Sequence, residues 1–299
     1  VKAHGTQPFV RLATDFVLPD EERKMLLNIE HQTQYVFSEM VQYTIQQLRL
    51  TPSNGDGQQV RHWQLKVNGQ LTPYEDAFGN QAHTLVIDQP HEELLITVSG
   101  TVETGLDTGA SASTLPVEIY LRETPLTQAD AAMAAFAQRF ATAPVTDMMH
   151  ALREQMQYIK GATQVDTTAA EAFHLGQGVC QDHAHAFIGC CRSIGLPARY
   201  VSGYLFTVDG SLMQTHAWVD VWQDGQWQGL DVSNGTRVNE THVRLAHGLD
   251  YRSASPVTGS RMGGGIEGMA SVVSVNQHAS NTASQRQQLL LQQAQSAQQ

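Results

Sequence analysis

"GVCQDHAHAFIGCC", residues 178–191, holds all three cysteines of the 299-residue chain and two of its 13 histidines. Three chemistries use such a cluster: a metal site, a redox pair, or one activated thiol at the start of a buried helix. Helical spacing separates them. At about 100° per residue, Cys180, Ala184, Phe187, Cys191 and Ile194 fall on one stripe of a helix running from Cys180 to about Gly195, while His185 points to nearly the opposite side. A metal needs three or four converging ligands; Cys180 and His183 could face one ion, but His185 could not join them without breaking the helix. A redox pair needs a resolving thiol within reach, and Cys190 lies roughly 15 Å farther along the axis at about 1.5 Å per residue. The activated thiol remains, and neither a metal nor a cofactor is expected.

Gly176 and Gly178 suit a sharp approach turn that delivers Cys180 to the helix N-terminus. Free N–H groups and the positive end of the helix dipole favour a thiolate there, and they can stabilise an oxyanion on an attacked carbonyl. Cys190 and Cys191, deeper in the helix, read as small core residues.

A nucleophile needs a base, and "THAWVDVWQDGQWQGLDVSNG", residues 215–235, supplies one. Asp224-Gly225 is a preferred two-residue hairpin turn. With that centre Trp222 opposes Trp227, Trp218 opposes Asp231, and Asp231 lies diagonal to His216 on the same face. The order Cys180, His216, Asp231 then offers a thiol, a base for its proton, and a carboxylate that fixes the imidazole tautomer. Asp220 competes for the last role, but sits on the histidine's own strand with Trp218 between.

Farther outward the pattern changes twice. From Met25, "LLNIEHQTQYVF", "VQYTIQQLRL", "VRHWQLKVNG", "AHTLVID" and "ELLITVSGTVET" alternate like strands separated by turn clusters, which predicts an antiparallel β domain over residues 25–110. After Pro125, "LTQADAAMAAFAQRF" and "TDMMHALREQMQYIKG" have helical spacing, each opening near a capping Thr. Strand-like runs "ARYVSGYLF", "THAWVDVW", "WQGLDVSNG" and "GMASVVSV" complete an α+β unit over residues 126–276. Residues 1–24 read as an extension, and residues 277–299, with nine glutamines, as a disordered tail.

Composition narrows the partners. The net charge of −11, from 29 acidic and 18 basic residues without a basic run, argues against nucleic acid. There is no run of 18 apolar residues and no secretory pattern at the start, so no membrane partner and a cytoplasmic location are expected. Three cysteines without a disulfide framework agree with a reducing compartment.

At the Cys, His and Asp blocks the sequence resembles the transglutaminase-like superfamily, specifically bacterial proteins with a β-rich N-terminal region before the catalytic domain. "GVCQDHAHAF" with "GLPARYVSGYL", then "THAWVDVW", then "GLDVSNG" carry the resemblance in order, and "AHGLDYRSASPVTGSRMGGG" extends it. The resemblance implies a papain-like α+β catalytic domain after an antiparallel β domain, with Cys180, His216 and Asp231 as catalytic residues. Val232 and Ser233 stand where Pro-Thr is common, and His183 where an apolar residue is frequent. The expected activity is hydrolysis of peptide or amide bonds through a thioester, on a peptide or protein substrate with an amide or glutaminyl group. The alternatives are protein-glutamine transamidation and non-catalytic binding on the same fold.

Overall fold

The structure, a computed structural model, describes residues 24–109, 115–207 and 215–277. Apart from Lys24 and Gln277, the expected N-terminal extension and glutamine-rich tail lie outside the described residues. The chain enters through β1 (Met25–Leu48), then β2 (Gln58–Val67), β3 (Gln70–Glu75), β4 (Gln81–Ile87) and β5 (His91–Thr104), all in one sheet of order β2-β5-β1-β4-β3. Alternation builds it: Leu27, Ile29, His31 and Thr33 are buried, with Glu30 and Gln32 exposed between them. Two strands were expected over residues 26–50, and one strand of 24 residues forms instead. Ser38-Glu39-Met40 contains no glycine, proline, asparagine or aspartate, and the chain continues through an irregularity between Val36 and Val41, where β1 passes from β5 toward β4.

The second unit opens with a short 3₁₀ turn (Val117–Leu121), followed by α1 (Ala131–Gln138), α2 (Val145–Gln155), β6 (Gln157–Tyr158), α3 (Ala169–Leu175), β7 (Gln177–Gly178) and α4 (Cys180–Ser193). The expected threonine caps are not used at α1 and α2. Asp130 caps α1 by accepting from the Met133 N–H, and Pro144 precedes α2. Thr127 is recruited elsewhere, its hydroxyl accepting from the buried Arg192 guanidinium at 2.7 Å. The threonine cap falls instead on α3, which the periodicity did not reveal; there Thr168 and Glu171 form a capping box.

Next come β8 (Ala198–Leu205), β9 (His216–Gln223), β10 (Gln226–Asp231), β11 (Thr236–Arg237) and β12 (His242–Gly248), in an antiparallel sheet of order β11-β10-β9-β8-β12. Helix α4 lies on β8 and β9, with α1, α2 and α3 packed around it. It is therefore buried from Asp182 to Arg192 on all sides, where the stripe predicted a single buried face. Removing Phe187 and Ile188 from water contributes about 1.5–3 kcal/mol each. The opposite face of the sheet is covered as well: Tyr204, Val243 and Leu245 join Leu27, Ile96 and Val102 in a core shared with the N-terminal sheet. The helices thus cover β8 and β9 from one side, and the N-terminal sheet covers β8 and β12 from the other.

After α5 (Tyr251–Ala254) the chain leaves the second unit. β13 (Val257–Gly263) and β14 (Glu267–Gln277) pair antiparallel with β1, from Leu48↔Val257 to Leu27↔Gln277. "GMASVVSV" was expected in the catalytic unit, whose boundary was set at residue 276; it belongs to the N-terminal sheet. The physical reason is that β4 and β5 share one edge of β1, and its other edge needs partners for its N–H and C=O groups. The architecture is α+β, with an antiparallel β region ahead of the mixed unit.

Candidate active site

The β9–β10 hairpin forms about its predicted centre. Asp224 (φ 52°) and Gly225 (φ 77°) are both left-handed, as a type I′ turn requires. Pairing runs from Gln226↔Gln223 through Trp227↔Trp222 to Leu230↔Val219. One step further, Asp231 lies diagonal to His216, and its Oδ2 accepts from His216 Nε2 at 2.7 Å. Asp220 points into another network, bound by Arg199 Nε at 2.8 Å and Arg244 at 2.6 Å.

Asp231 is fully buried and surrounded by donors. Its Oδ2 also accepts from Asn234 Nδ2 at 2.6 Å and His242 Nε2 at 3.2 Å, and its Oδ1 accepts from the Ser233 hydroxyl and the Asn234 N–H. Burial alone would raise the Asp231 pKa; the bonds from His216, His242 and Asn234 outweigh it and hold the carboxyl well below the usual carboxylate range. Burial would likewise lower the pKa of His216, but its hydrogen bonds to Asp231 and Cys180, with their charges, raise it to about 10. With Nε2 committed to Asp231, Nδ1 is the nitrogen available to the Cys180 thiol.

Cys180 is the first residue of α4, half-buried, with Val179 as cap residue. The approach turn is built as the glycines suggested. Gly176 ends α3 at φ 64°, and Gly178 leaves room for the Asp182 side chain, which a Cβ at residue 178 would meet at 2.5–2.8 Å. Asp182 Oδ2 accepts from the Val179 N–H and the Thr163 hydroxyl, both at 2.7 Å, pinning the turn from inside the helix. Cys190 and Cys191 are fully buried, and burial pushes the Cys190 thiol up to about 12 and Cys191 well above its ordinary value. Neither is available as a thiolate at neutral pH.

The histidines of the opening cluster do not converge with Cys180. His183 directs its ring nitrogens at the Val179 and Met156 carbonyls, and His185 Nε2 accepts from the Tyr251 N–H. Burial lowers the pKa of His185 to about 4, keeping it neutral. Among the described residues, the group with metal-ligand composition is His216, Asp231 and His242, whose ligand atoms lie within 4.8 Å of one another. Those atoms are already joined by hydrogen bonds.

Cys180 and His216 open on a cleft of about 500 Å³, lined also by Tyr158, Lys160, Tyr200 and Tyr251. Tyr158 is held beside Cys180 by the β6–β7 pair, in which it opposes Gly178. Burial, with the charges of Cys180, Asp231 and Asp182, raises its hydroxyl to about 12, so it remains a donor. A larger cavity of about 780 Å³, lined by Asp56, Trp218, Glu240, His242 and Arg244, lies behind the Asp231 side and touches neither Cys180 nor His216. Size alone would select a cavity that contains neither the thiol nor its imidazole partner. Sequence reasoning missed His242 and Tyr158: His242 reaches Asp231 from β12, and no local spacing announces a partner eleven residues away on another strand.

Residues 27–103 match the bacterial transglutaminase-like N-terminal region, and residues 133–232, which contain Cys180, His216 and Asp231, match the transglutaminase-like superfamily. An uncharacterized protein of Mycobacterium leprae is 29% identical over 280 residues, covering 85% of this chain and 99% of its own length. An uncharacterized protein of Mycobacterium tuberculosis is 28% identical, covering 77% of this chain and 86% of its own. The fold is similar to a crystal structure of a proposed cysteine protease from Cytophaga hutchinsonii, with a TM-score of 0.71, 19% identity, and coverage of 86% of this chain and 92% of that one.

Proposed function

The chain belongs to the transglutaminase-like superfamily, and from that premise we propose that it is an acyl-transfer enzyme that hydrolyses peptide or amide bonds through a thioester on Cys180. The observation that carries this reading is the fully buried Asp231 holding His216 at 2.7 Å beside a thiol at a helix N-terminus. His216 keeps its proton across the neutral range, so an imidazolium faces the Cys180 sulfur that is to attack.

The thiolate attacks the substrate carbonyl, forming the S–C bond, and the developing oxyanion meets the free N–H groups at the start of α4. Collapse breaks the C–N bond while His216 gives its proton to the departing amine. Water then attacks the thioester as His216 takes one of its protons, the C–S bond breaks, and the thiolate returns beside an imidazolium. An amine in place of water would give transamidation through the same intermediate.

The test is incubation with glutaminyl-containing peptides, with and without an added primary amine, read by mass. Cleavage or deamidation by the native chain and none by Cys180→Ala is the expected result. Predominant amine incorporation would make the protein a transamidase. A folded native chain that transforms no peptide and whose Cys180 alkylates no faster than Cys190 would leave a binding protein on the same fold.

A further inference from the structure

Across Tyr251 from the Cys180 cleft lies a second cavity of about 400 Å³, with Tyr251 in the wall of both. It is built where the two units meet: Tyr35 and Gln46 come from β1, Arg252 from α5, and residues 257–261 from β13. Pro256 lines the first cavity while its chain neighbours Ser255 and Val257 line the second, so the two form one path along the chain.

Two features of this path point to an occupant. The first is charge. The described side chains lining it include three cations, Lys160, Arg252 and Arg261, and one carboxylate, Glu267, which Arg261 binds at 3.1 Å. Lys160 and Arg252 are exposed and form no ion pair among the described residues. In a chain of net charge −11 this is a local reversal of sign. The second feature is an open sheet edge. β13 pairs with β1 alone among the described strands, and Thr258, Gly259 and Ser260 are exposed along it and line the cavity. Such an edge presents unpaired N–H and C=O groups to which an extended chain can add.

We propose that this path is an extended substrate subsite that binds an acidic peptide as an added strand along β13, its carboxylates beside Arg252 and Lys160, and leads its amide to Cys180. The proposal rests on the acyl-transfer reading of Cys180. It also gives the N-terminal sheet a task, since among the described strands β13 pairs with β1 alone.

The test uses the full chain carrying Cys180→Ala and fluorescein-labelled hexapeptides of alternating glutamate and alanine, with glutamine and lysine counterparts, read by anisotropy. The glutamate peptide is expected to bind about tenfold more tightly than the glutamine peptide, since exposed charge pairs each contribute modestly. Lysine should bind more weakly still, and the double variant Lys160→Glu, Arg252→Glu should reverse the order. N-methylation of alternate backbone nitrogens should abolish binding in one phase and spare it in the other, as strand addition requires. Equal binding of all three peptides, or indifference to both methylation phases, overturns the subsite. Iodoacetamide kinetics of the native chain separate the two readings. Rapid alkylation of Cys180 without glutamate preference sinks the subsite and leaves the acyl-transfer reading standing. Glutamate-selective binding with an inert Cys180 sinks the acyl-transfer reading and leaves an acidic-peptide site.

Discussion

Asp231 and Asp220 sit on neighbouring strands of one sheet, both fully buried and both held well below the usual carboxylate range. Their partners differ. Asp220 is clasped by two guanidiniums, Arg199 and Arg244, and the Arg199 guanidinium lies 4.3 Å from the centre of the Trp227 ring. Asp231 is bound by two imidazoles, an amide, a hydroxyl and a backbone N–H. Burial would penalise each carboxylate, and each is rescued by hydrogen bonds and charge. A guanidinium, however, does not release its proton in the accessible pH range, whereas an imidazole can. The first arrangement locks β8, β9 and β12 together, and the second stores a proton beside a thiol. A depressed carboxylate marks a site only when what depresses it can change its own protonation.

The comparison breaks if chemistry depends on the wrong member of either set. The largest expected effect is at the nucleophile: Cys180→Ser should remove turnover, while Cys190→Ala, which truncates a core residue, should retain it with lowered stability, as steady-state kinetics and thermal melts would record. Next comes the carboxylate pair. Asp231→Asn should lower kcat by about 10³–10⁴-fold, because an amide can present the wrong partner to His216 Nε2. Asp220→Asn should instead cost about 3–5 kcal/mol of stability by leaving buried guanidiniums underpaired, with kcat per folded molecule nearly unchanged. Comparable kcat losses in two folded variants would erase the distinction between the carboxylates.

Much of this contrast is legible in the sequence, for a definable reason. The hairpin register follows from two turn residues and a period of two, so the diagonal placement of Asp231 and His216 is a local deduction. The position of Cys180 follows from two glycines and the helix after them. What escapes is choice of partner over long separations. Nothing in "HVRLAHG" says that His242 will face Asp231, because that contact depends on β12 taking the edge beside β8. Nothing in "GMASVVSV" says that it will return to β1 across more than 200 residues, because its alternation would suit any half-buried sheet. The helix caps fail for a related reason: Thr127 can cap a helix, but a buried arginine needs its oxygen more.

His242 sharpens the comparison, since it is the one donor to Asp231 that also borders the large rear cavity. Replacing it by leucine, which has no donor, should lower kcat about tenfold, the scale of one hydrogen bond to a charged group. The pH profile separates positioning from mere structure. With one donor fewer, Asp231 becomes a stronger acceptor toward His216 and holds its proton more tightly. The alkaline limb of kcat should therefore move to higher pH in His242→Leu and to lower pH in Asp231→Asn. Unshifted limbs in both variants would reduce His242 to a packing residue.

The smallest effect expected is in stability against pH, and it tests the contrast without any substrate. The pKa of His216 is raised from 6.5 to about 10 in the folded chain, because the bonds and charges of Asp231 and Cys180 outweigh burial. A group that holds its proton more tightly when folded contributes stability that is complete below its unfolded value. That contribution shrinks above about 6.5 and is gone once the pH has passed about 10. Asp220, held well below the usual carboxylate range, and Arg244, held above its ordinary value, do not change charge in this window, so their contribution is flat. Melting temperatures between pH 7 and 10.5 should therefore fall further in the native chain than in His216→Gln, which keeps an amide near Asp231 but has no proton to lose. Each 1 kcal/mol of this contribution corresponds to about 2–4 °C in a chain of this size. Asp220→Asn should lower the whole native curve by a nearly constant amount. If the native and His216→Gln curves run parallel, His216 does not hold its proton across the neutral range, and the thiolate–imidazolium pair loses its physical basis.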